Sequence, residues 1–117
     1  MPATVNTPAT EARDTINRKL GRKPGRVHRY DQRTQLNAEI VCANGFTFGL
    51  RVGEKHGSIP RAGEGPWTHV EVVAPNRTLG ALARYRRDTN TTRNGDIYTE
   101  VPVELLDRLV ARNGGLR

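Results

Sequence analysis

Apolar and polar residues alternate along two neighbouring stretches in the middle of the chain. In residues 36–42 and again in residues 46–52 every second residue is apolar, which is typical of β-strands with one buried face. Three residues, Ala43 to Gly45, separate the two stretches. A three-residue loop pairs Ile40 with Phe48, so that both apolar sets share one face. We therefore predict a bulged β-hairpin whose last loop residue, a glycine, adopts the left-handed conformation.

Further strands and two helices are predicted after the hairpin. Residues 67–74 alternate again, and residues 97–101 form a short apolar stretch. One helix is expected at about 76–87, capped by Asn76, and another at about 102–113, with proline in its first turn and a broad apolar face. The predicted fold class is therefore α+β: a small antiparallel sheet of four or five strands, packed on one face by these two helices. The predicted core comprises Leu36, Ile40, Phe46, Phe48, Leu50, Val70, Val72, Leu79, Leu82, Ile97, Leu105, Leu106 and Leu109.

The N-terminal part of the chain has a different composition. Residues 1–10 hold two prolines and three threonines with almost nothing to bury. A short helix is predicted over 11–20, but its apolar stripe is thin, so we expect it to order only against the domain or a partner. The chain therefore divides into a flexible basic arm, residues 1–25, and a single α+β domain, residues 26–117.

The formal net charge is +7 on 117 residues, and it is concentrated in two clusters. Residues 11–33 hold eight basic against three acidic side chains, and residues 77–93 hold five against one. Together the two clusters carry a net charge of +9, which exceeds the +7 of the whole chain. Arginine forms paired hydrogen bonds with phosphate oxygens, although its excess over lysine also follows from GC-rich codon usage. We predict a nucleic-acid or other anion-binding surface of Arg18, Lys19, Arg22, Lys23, Arg26, Arg29, Arg84, Arg86 and Arg87.

Residues 53–66 form a long connection rich in glycine and proline, and loops of this length are functional or mobile. Lys55, His56 and Arg61 make it a candidate ligand loop for a small phosphate-bearing molecule. Ser58 lacks the G-x-S-x-G context of a hydrolase nucleophile. The histidines lack H-x-H or H-E-x-x-H spacing, the chain has one cysteine, and no nucleotide-binding glycine motif is present. We therefore predict no catalytic residue, no metal site and no cofactor.

The C-terminal two-thirds combines strands, prolines and an amphipathic helix in a definite order. The pattern covers about residues 46–116, apart from 77–95, and is carried by His56, Pro60, Arg61, Trp67–Val72, Pro75, Ile97, Tyr98, Val101–Glu104 and Asn113–Gly115. It resembles that of small uncharacterised proteins encoded by bacteriophages. That family has no established activity, so the resemblance implies a phage context and no site residues. The chain has no apolar run of membrane-spanning length and no signal-peptide pattern, so we expect it in the host cytoplasm or the virion.

Three functions fit these observations. The first is a non-enzymatic, phage-type accessory protein that binds nucleic acid or another polyanion through the arginine-rich surface. The second is a virion structural or assembly protein, whose Thr- and Pro-rich arm reaches a protein partner or a second copy of the chain. The third is an anti-defence protein that binds a small phosphate-bearing nucleotide in a pocket under residues 53–66. None of the three requires a membrane partner.

Overall fold

The fold is an antiparallel sheet with helices on one face and a two-stranded ribbon on the other. The computed structural model describes residues 15–28, 35–53, 56–61, 64–77, 79–87 and 97–117. Its elements are α1 (15–20), β1 (Val27–His28), β2 (Gln35–Leu36), β3 (Ala38–Val41), β4 (Thr47–Arg51), β5 (His69–Val73), a 3₁₀ helix (Gly80–Tyr85), β6 (Ile97–Pro102) and α2 (Val103–Arg112). The sheet order is β3-β4-β5-β6, and β1 pairs with β2 to form the ribbon. The predicted α+β class is confirmed, with four strands in the sheet.

The hairpin between β3 and β4 has the predicted register. Ile40 lies opposite Phe48, and the N–H of Cys42 donates to the carbonyl of Phe46 at 2.8 Å. Gly45 has a φ of 93°, the left-handed conformation that a glycine adopts without strain. The three-residue loop is therefore confirmed, and the apolar residues of β3 and β4 face the same side of the sheet. Leu36, predicted to lie on that face, instead packs on the other side.

The core lies between this side of the sheet and the helices, and we call it the apolar face. The rings of Phe46 and Phe48 lie 5.4 Å apart at its centre. The predicted core residues Leu79 and Leu105 are only partly buried. The buried core consists of Ile16, Leu20, Ala38, Ile40, Cys42, Phe46, Phe48, Leu50, Val52, Trp67, Val70, Val72, Leu82, Tyr98, Val101, Val103, Leu106, Leu109 and Val110.

Helix α1 packs on the domain and contributes to this core. Its Ile16 N–H donates to the buried carboxylate of Asp107 on α2 at 2.9 Å. Asn17 bonds the backbone of Trp67 twice, accepting its N–H at 2.6 Å and donating to its carbonyl at 3.0 Å. A thin helix that is marginal alone is thus held by long-range contacts. The first residues of the predicted helix, 11–14, lie outside the described residues.

The segment after β5 differs from the prediction. The α-helix expected at about 76–87 is absent from its described residues, which form a 3₁₀ helix at Gly80–Tyr85. Asn76, predicted to cap that helix, instead accepts the N–H of Thr47 and donates to the carbonyl of Gly45, both at 2.9 Å. Its side chain therefore ties the segment to the hairpin. The C-terminal helix predicted at 102–113 is confirmed as α2.

The residues after α2 turn back along β3. Gly114 and Gly115 have φ angles of 91° and 80°, which reverse the chain. The N–H of Ala43 then donates to the carbonyl of Gly115, and the N–H of Arg117 donates to the carbonyl of Val41, both at 2.8 Å. Residues 115–117 therefore cover the outer edge of the sheet at the end of β3.

The ribbon covers the opposite side of the sheet, which we call the charged face because Arg51 and Glu71 point to it. Leu36 of β2 packs directly on β4: a Cβ added to Gly49 would lie 2.6 Å from Leu36 Cδ1. Glycine fits here because the side chain of Leu36 occupies the space that a Cβ would fill. Val73 and Ile97, paired across β5 and β6, are buried on this face as well.

Candidate anion-binding surface

The N-terminal basic cluster follows the surface from α1 to β1. Arg22 is 82% exposed although its Nε lies 3.6 Å from Glu64 Oε1, and an ion pair this exposed contributes little to stability. Arg29 lies outside the described residues. The other five predicted members are all exposed, namely Arg18, Lys19, Arg22, Lys23 and Arg26. Their side chains are therefore accessible to an external anion.

The second cluster, Arg84, Arg86 and Arg87, lies beside β6 and is also exposed. Arg86 forms an isolated bridge with Tyr98, and the N–H of Arg87 donates to the carbonyl of Ile97 at 2.8 Å. These backbone contacts add one short pairing to the edge of the sheet. They fix the backbone positions from which the side chains of Arg86 and Arg87 extend.

Arg77, which helical spacing would place on one stripe with Arg84 and Arg87, lies apart from them. Its guanidinium donates to the carbonyl of Asn44 at 3.2 Å and reaches Asn113 Oδ1 at 3.5 Å. Because the segment is not an α-helix, the stripe does not form. Arg77 instead joins the hairpin loop to the end of α2.

The two clusters have members beside opposite edges of the sheet and members that reach its charged face. Lys19 lines a cavity beside β3, whereas Arg86 is bonded to β6, and these are the two outer strands. Arg26 shares a second cavity with His56, and the positive charge of Arg87 acts on Glu71. The described residues therefore do not form one continuous patch but two groups around a charged centre.

Glu71 of β5 forms this charged centre and is only 1% exposed to solvent. Its Oε1 lies 3.4 Å from Nη1 of Arg51, the directly opposite residue on β4, and 3.3 Å from Nδ1 of His56. Neither contact has hydrogen-bond geometry: Glu71 Oε1 and Arg51 Nε are buried without a hydrogen-bond partner among the described residues. A buried charge of this kind is costly unless it is well paired.

Burial raises the pKa of Glu71 from its ordinary 4.5 to about 7, and the positive charges of Arg51 and Arg87 lower it in part. Removing a carboxylate from water disfavours its charged form more than these two guanidinium groups favour it. The carboxyl group therefore titrates near neutral pH. A titrating group in a cluster of opposite charge is a recognised mark of a functional site.

Ser58 fixes the loop that brings His56 to Glu71. Its Oγ accepts the N–H of Gly53 at 2.9 Å, and its single proton is within reach of the carbonyls of Pro60, at 3.0 Å, and Gly53, at 3.2 Å. The serine is fully buried, so it stabilises the loop and is not accessible as a nucleophile. Such internal hydrogen bonds hold the loop without a core of its own.

A cavity of about 170 Å³ lies between this loop and the ribbon. Of the predicted ligand loop, His56 lines this cavity, Arg61 is exposed and does not line it, and Lys55 lies outside the described residues. The lining residues are Arg26, Gln35, Leu36, Asn37, Val52 and His56. The structure thus joins Arg26 of the predicted anion-binding surface to His56 of the predicted loop.

No protein family model, curated protein or solved structure matches this chain. The described helices include none long and apolar enough to cross a membrane. Functional inference therefore depends on the geometry of the charged face and the two basic clusters.

Metal and thiol chemistry find no support in the part of the chain that the structure describes. No group of three or more His, Cys, Asp or Glu residues there could hold a metal ion. His69 lies on β5 with its Nδ1 2.9 Å from Thr68 Oγ1. Cys42 is fully buried, and burial raises the pKa of its thiol, so the sulfur stays protonated and unreactive.

Arg51 and Glu71 are the site residues that sequence reasoning does not identify. Both lie at polar positions of alternating strands, where a solvated side chain is the default expectation. Glu71 does interrupt the apolar run of residues 70–73, which is the one local signal of its burial. Their pairing depends on the register of β4 against β5, which the sequence alone does not reveal.

Proposed function

We propose that this chain is a non-enzymatic accessory protein of bacteriophage type that binds nucleic acid through its arginine-rich surface. The proposal depends on one observation: Ile16 and Leu20 of α1 are buried in the core while the basic residues beside them are exposed. The cations are thus carried by a fixed backbone. Fixed donors lose less conformational entropy on binding than a free arm would.

The separation of the two clusters favours a long polyanion over a small one. Three inter-strand spacings separate β3 from β6, which is roughly 14 Å. A nucleic-acid strand that crosses the sheet can place phosphates at both edges, whereas one small anion reaches only one of them. The net charge of +7 adds attraction at longer range, which accelerates association.

A salt titration of binding to labelled single- and double-stranded oligonucleotides tests this proposal. The logarithm of the association constant is expected to fall linearly with the logarithm of salt concentration, by about 0.9 per phosphate contact on duplex DNA and about 0.7 on single strands. The double variant Arg18→Ala/Arg22→Ala should flatten the duplex slope by about 1.8 if each arginine contacts one phosphate.

The matched control is Arg108→Ala/Arg112→Ala, which removes the same charge from exposed positions of α2. We expect this control to keep the slope of the unsubstituted protein. Equal flattening by both variants would mean that only total charge matters, and the proposed surface would be wrong. Absence of binding at low salt would contradict the function itself.

A further inference from the structure

The cavity between the ribbon and the loop after β4 has the size of a single small group. Its volume of about 170 Å³ is well below the roughly 300 Å³ at which pockets for drug-sized ligands begin. Leu36 and Val52 form its apolar walls, and its other four lining residues are polar or cationic. Such a space admits a phosphate group but not a whole nucleotide.

Hydrogen bonds of Asn37 fix the ribbon side of this cavity. Its backbone N–H donates to the carbonyl of Leu50 at 2.8 Å, and its Oδ1 accepts the N–H of Val52 at 2.9 Å. Its Nδ2 donates to the carbonyl of Gly25 at 2.9 Å, directly before Arg26. One side chain thus joins the chain entering β1 to the end of β4, so the cavity walls are positioned before any ligand binds.

The charges on the two sides of the cavity are complementary to an anion. Arg26 is exposed, and the hydrogen bond from its Nη1 to Gln35 Oε1 is long at 3.4 Å. His56 is 33% exposed on the opposite wall, and its Nδ1 faces the buried Glu71 at 3.3 Å. A carboxyl group beside one ring nitrogen orients the ring. The cavity therefore offers a guanidinium and an oriented imidazole.

A terminal phosphate suits these two groups better than an internal one. A phosphomonoester carries about −1.5 to −2 charges near pH 7 and presents three free oxygens, whereas an internal phosphodiester carries one negative charge. The guanidinium of Arg26 and the imidazole of His56 line one small cavity and can each bind a different oxygen of the monoester. An internal phosphate would also have to pass the chain in and out of a cavity of this size.

We propose that this cavity binds a phosphomonoester, supplied either by the end of a nucleic-acid strand or by a free nucleotide, with Arg26 and His56 as its ligands. For the strand end, the inference rests on the proposed nucleic-acid binding. It adds to that function a preference for phosphorylated ends, which a uniformly basic surface does not have.

The test compares two single-stranded oligonucleotides of one sequence, labelled at the 3′ end and carrying either a 5′-phosphate or a 5′-hydroxyl. We expect the phosphorylated strand to bind about tenfold more tightly, the factor that one additional charge-assisted hydrogen bond contributes. Arg26→Gln and His56→Gln should each reduce this ratio to about one. Arg108→Gln, which removes an exposed arginine of α2 outside both the cavity and the basic clusters, should keep it.

The ratio of the two affinities tests the cavity proposal independently of the proposed nucleic-acid binding. Salt-dependent binding of both strands with a ratio of one in the unsubstituted protein overturns the cavity proposal and leaves nucleic-acid binding intact. If neither strand binds, the proposed function fails, and calorimetric titration with a nucleoside monophosphate decides on the cavity alone. Heat that is lost in Arg26→Gln, a substitution at an exposed residue that should not perturb folding, supports the cavity, and no heat in the unsubstituted protein overturns it.

Discussion

The two faces of the central sheet bury their residues by different chemistry. The apolar face is filled by aliphatic and aromatic side chains from the sheet, α1 and α2. The charged face places a ribbon over Gly49 and buries Glu71 beside Arg51 and His56. Burial of apolar surface stabilises the fold, whereas burial of a carboxylate opposes it. The apolar face therefore stabilises the fold, whereas the buried Glu71 of the charged face does not.

The largest expected effect comes from the apolar face. Phe48→Ala removes a fully buried ring that packs on Phe46, and such truncations leave a cavity as well as losing apolar contacts. We expect the free energy of unfolding to fall by about 3–5 kcal/mol, measured by urea denaturation. A loss below about 1 kcal/mol would show that the core collapses around the gap and that this face is less specific than its packing indicates.

The second effect concerns the charged face and depends on pH. The pKa of Glu71 is about 7 in the folded protein and near 4.5 when unfolded, so the folded state binds the extra proton between these values. The contribution of Glu71 to stability is therefore fully present below pH 4.5 and is lost as pH rises through 7. Its size is about 3 kcal/mol at 1.36 kcal/mol per pKa unit.

Glu71→Gln tests this because it removes the titrating group and keeps the shape of the side chain. The difference in unfolding free energy between the variant and the unsubstituted protein should change by about 3 kcal/mol between pH 4.5 and pH 7.5. Denaturant titrations across this range measure the difference. A difference independent of pH would mean that the carboxyl group is solvated and that the two faces are less distinct than described.

The third prediction sharpens the comparison at the contact between sheet and ribbon. Gly49→Ala places a methyl group 2.6 Å from Leu36 Cδ1, so the ribbon must move, and we expect a loss of about 2 kcal/mol. The control is Gly80→Ala, where an added Cβ meets no atom within 4 Å and no loss is expected. Thermal unfolding of the two variants gives the comparison, and equal melting temperatures would argue against close packing of the ribbon.

The smallest expected effect lies at the junction of α1 with the domain. Asn17→Ala removes both hydrogen bonds to the Trp67 backbone and should cost about 1–2 kcal/mol. Hydrogen exchange of the α1 amides should increase more than that of α2, because α1 would detach locally. Unchanged exchange in α1 would mean that Ile16 and Leu20 alone hold the helix.

The sequence predicts the structural features that follow from local patterns, and it fails where tertiary contacts decide. The hairpin register follows from parity, because a one-residue slip would put Ile40 and Phe48 on opposite faces. The helix at 102–113 follows from its broad apolar stripe. At 76–87 the stripe is short and the side chain of Asn76 bonds a distant hairpin, so tertiary contacts override the local pattern.

The charged face is less predictable because its contacts join distant parts of the chain. Arg26 and His56 are both suggested by the sequence, but for separate reasons, one as part of a basic cluster and the other as part of a loop. Their common cavity exists because Asn37 and Ser58 position the two segments, and neither residue has a motif that announces this role. Charge clustering thus predicts which residue types bind an anion, while side-chain hydrogen bonds determine which of them meet.

The pairing of residues 115–117 with β3 also bears on the behaviour of the protein in solution. Outer strands present unpaired N–H and C=O groups on which a second molecule can add a strand. Here the bonds of Gly115 to Ala43 and of Arg117 to Val41 occupy the groups at the end of β3 and just after it within the same chain. A chain shortened by these residues would keep its hairpin but expose the edge. We expect it to self-associate more strongly than the 117-residue chain, so the tail acts as a guard against aggregation.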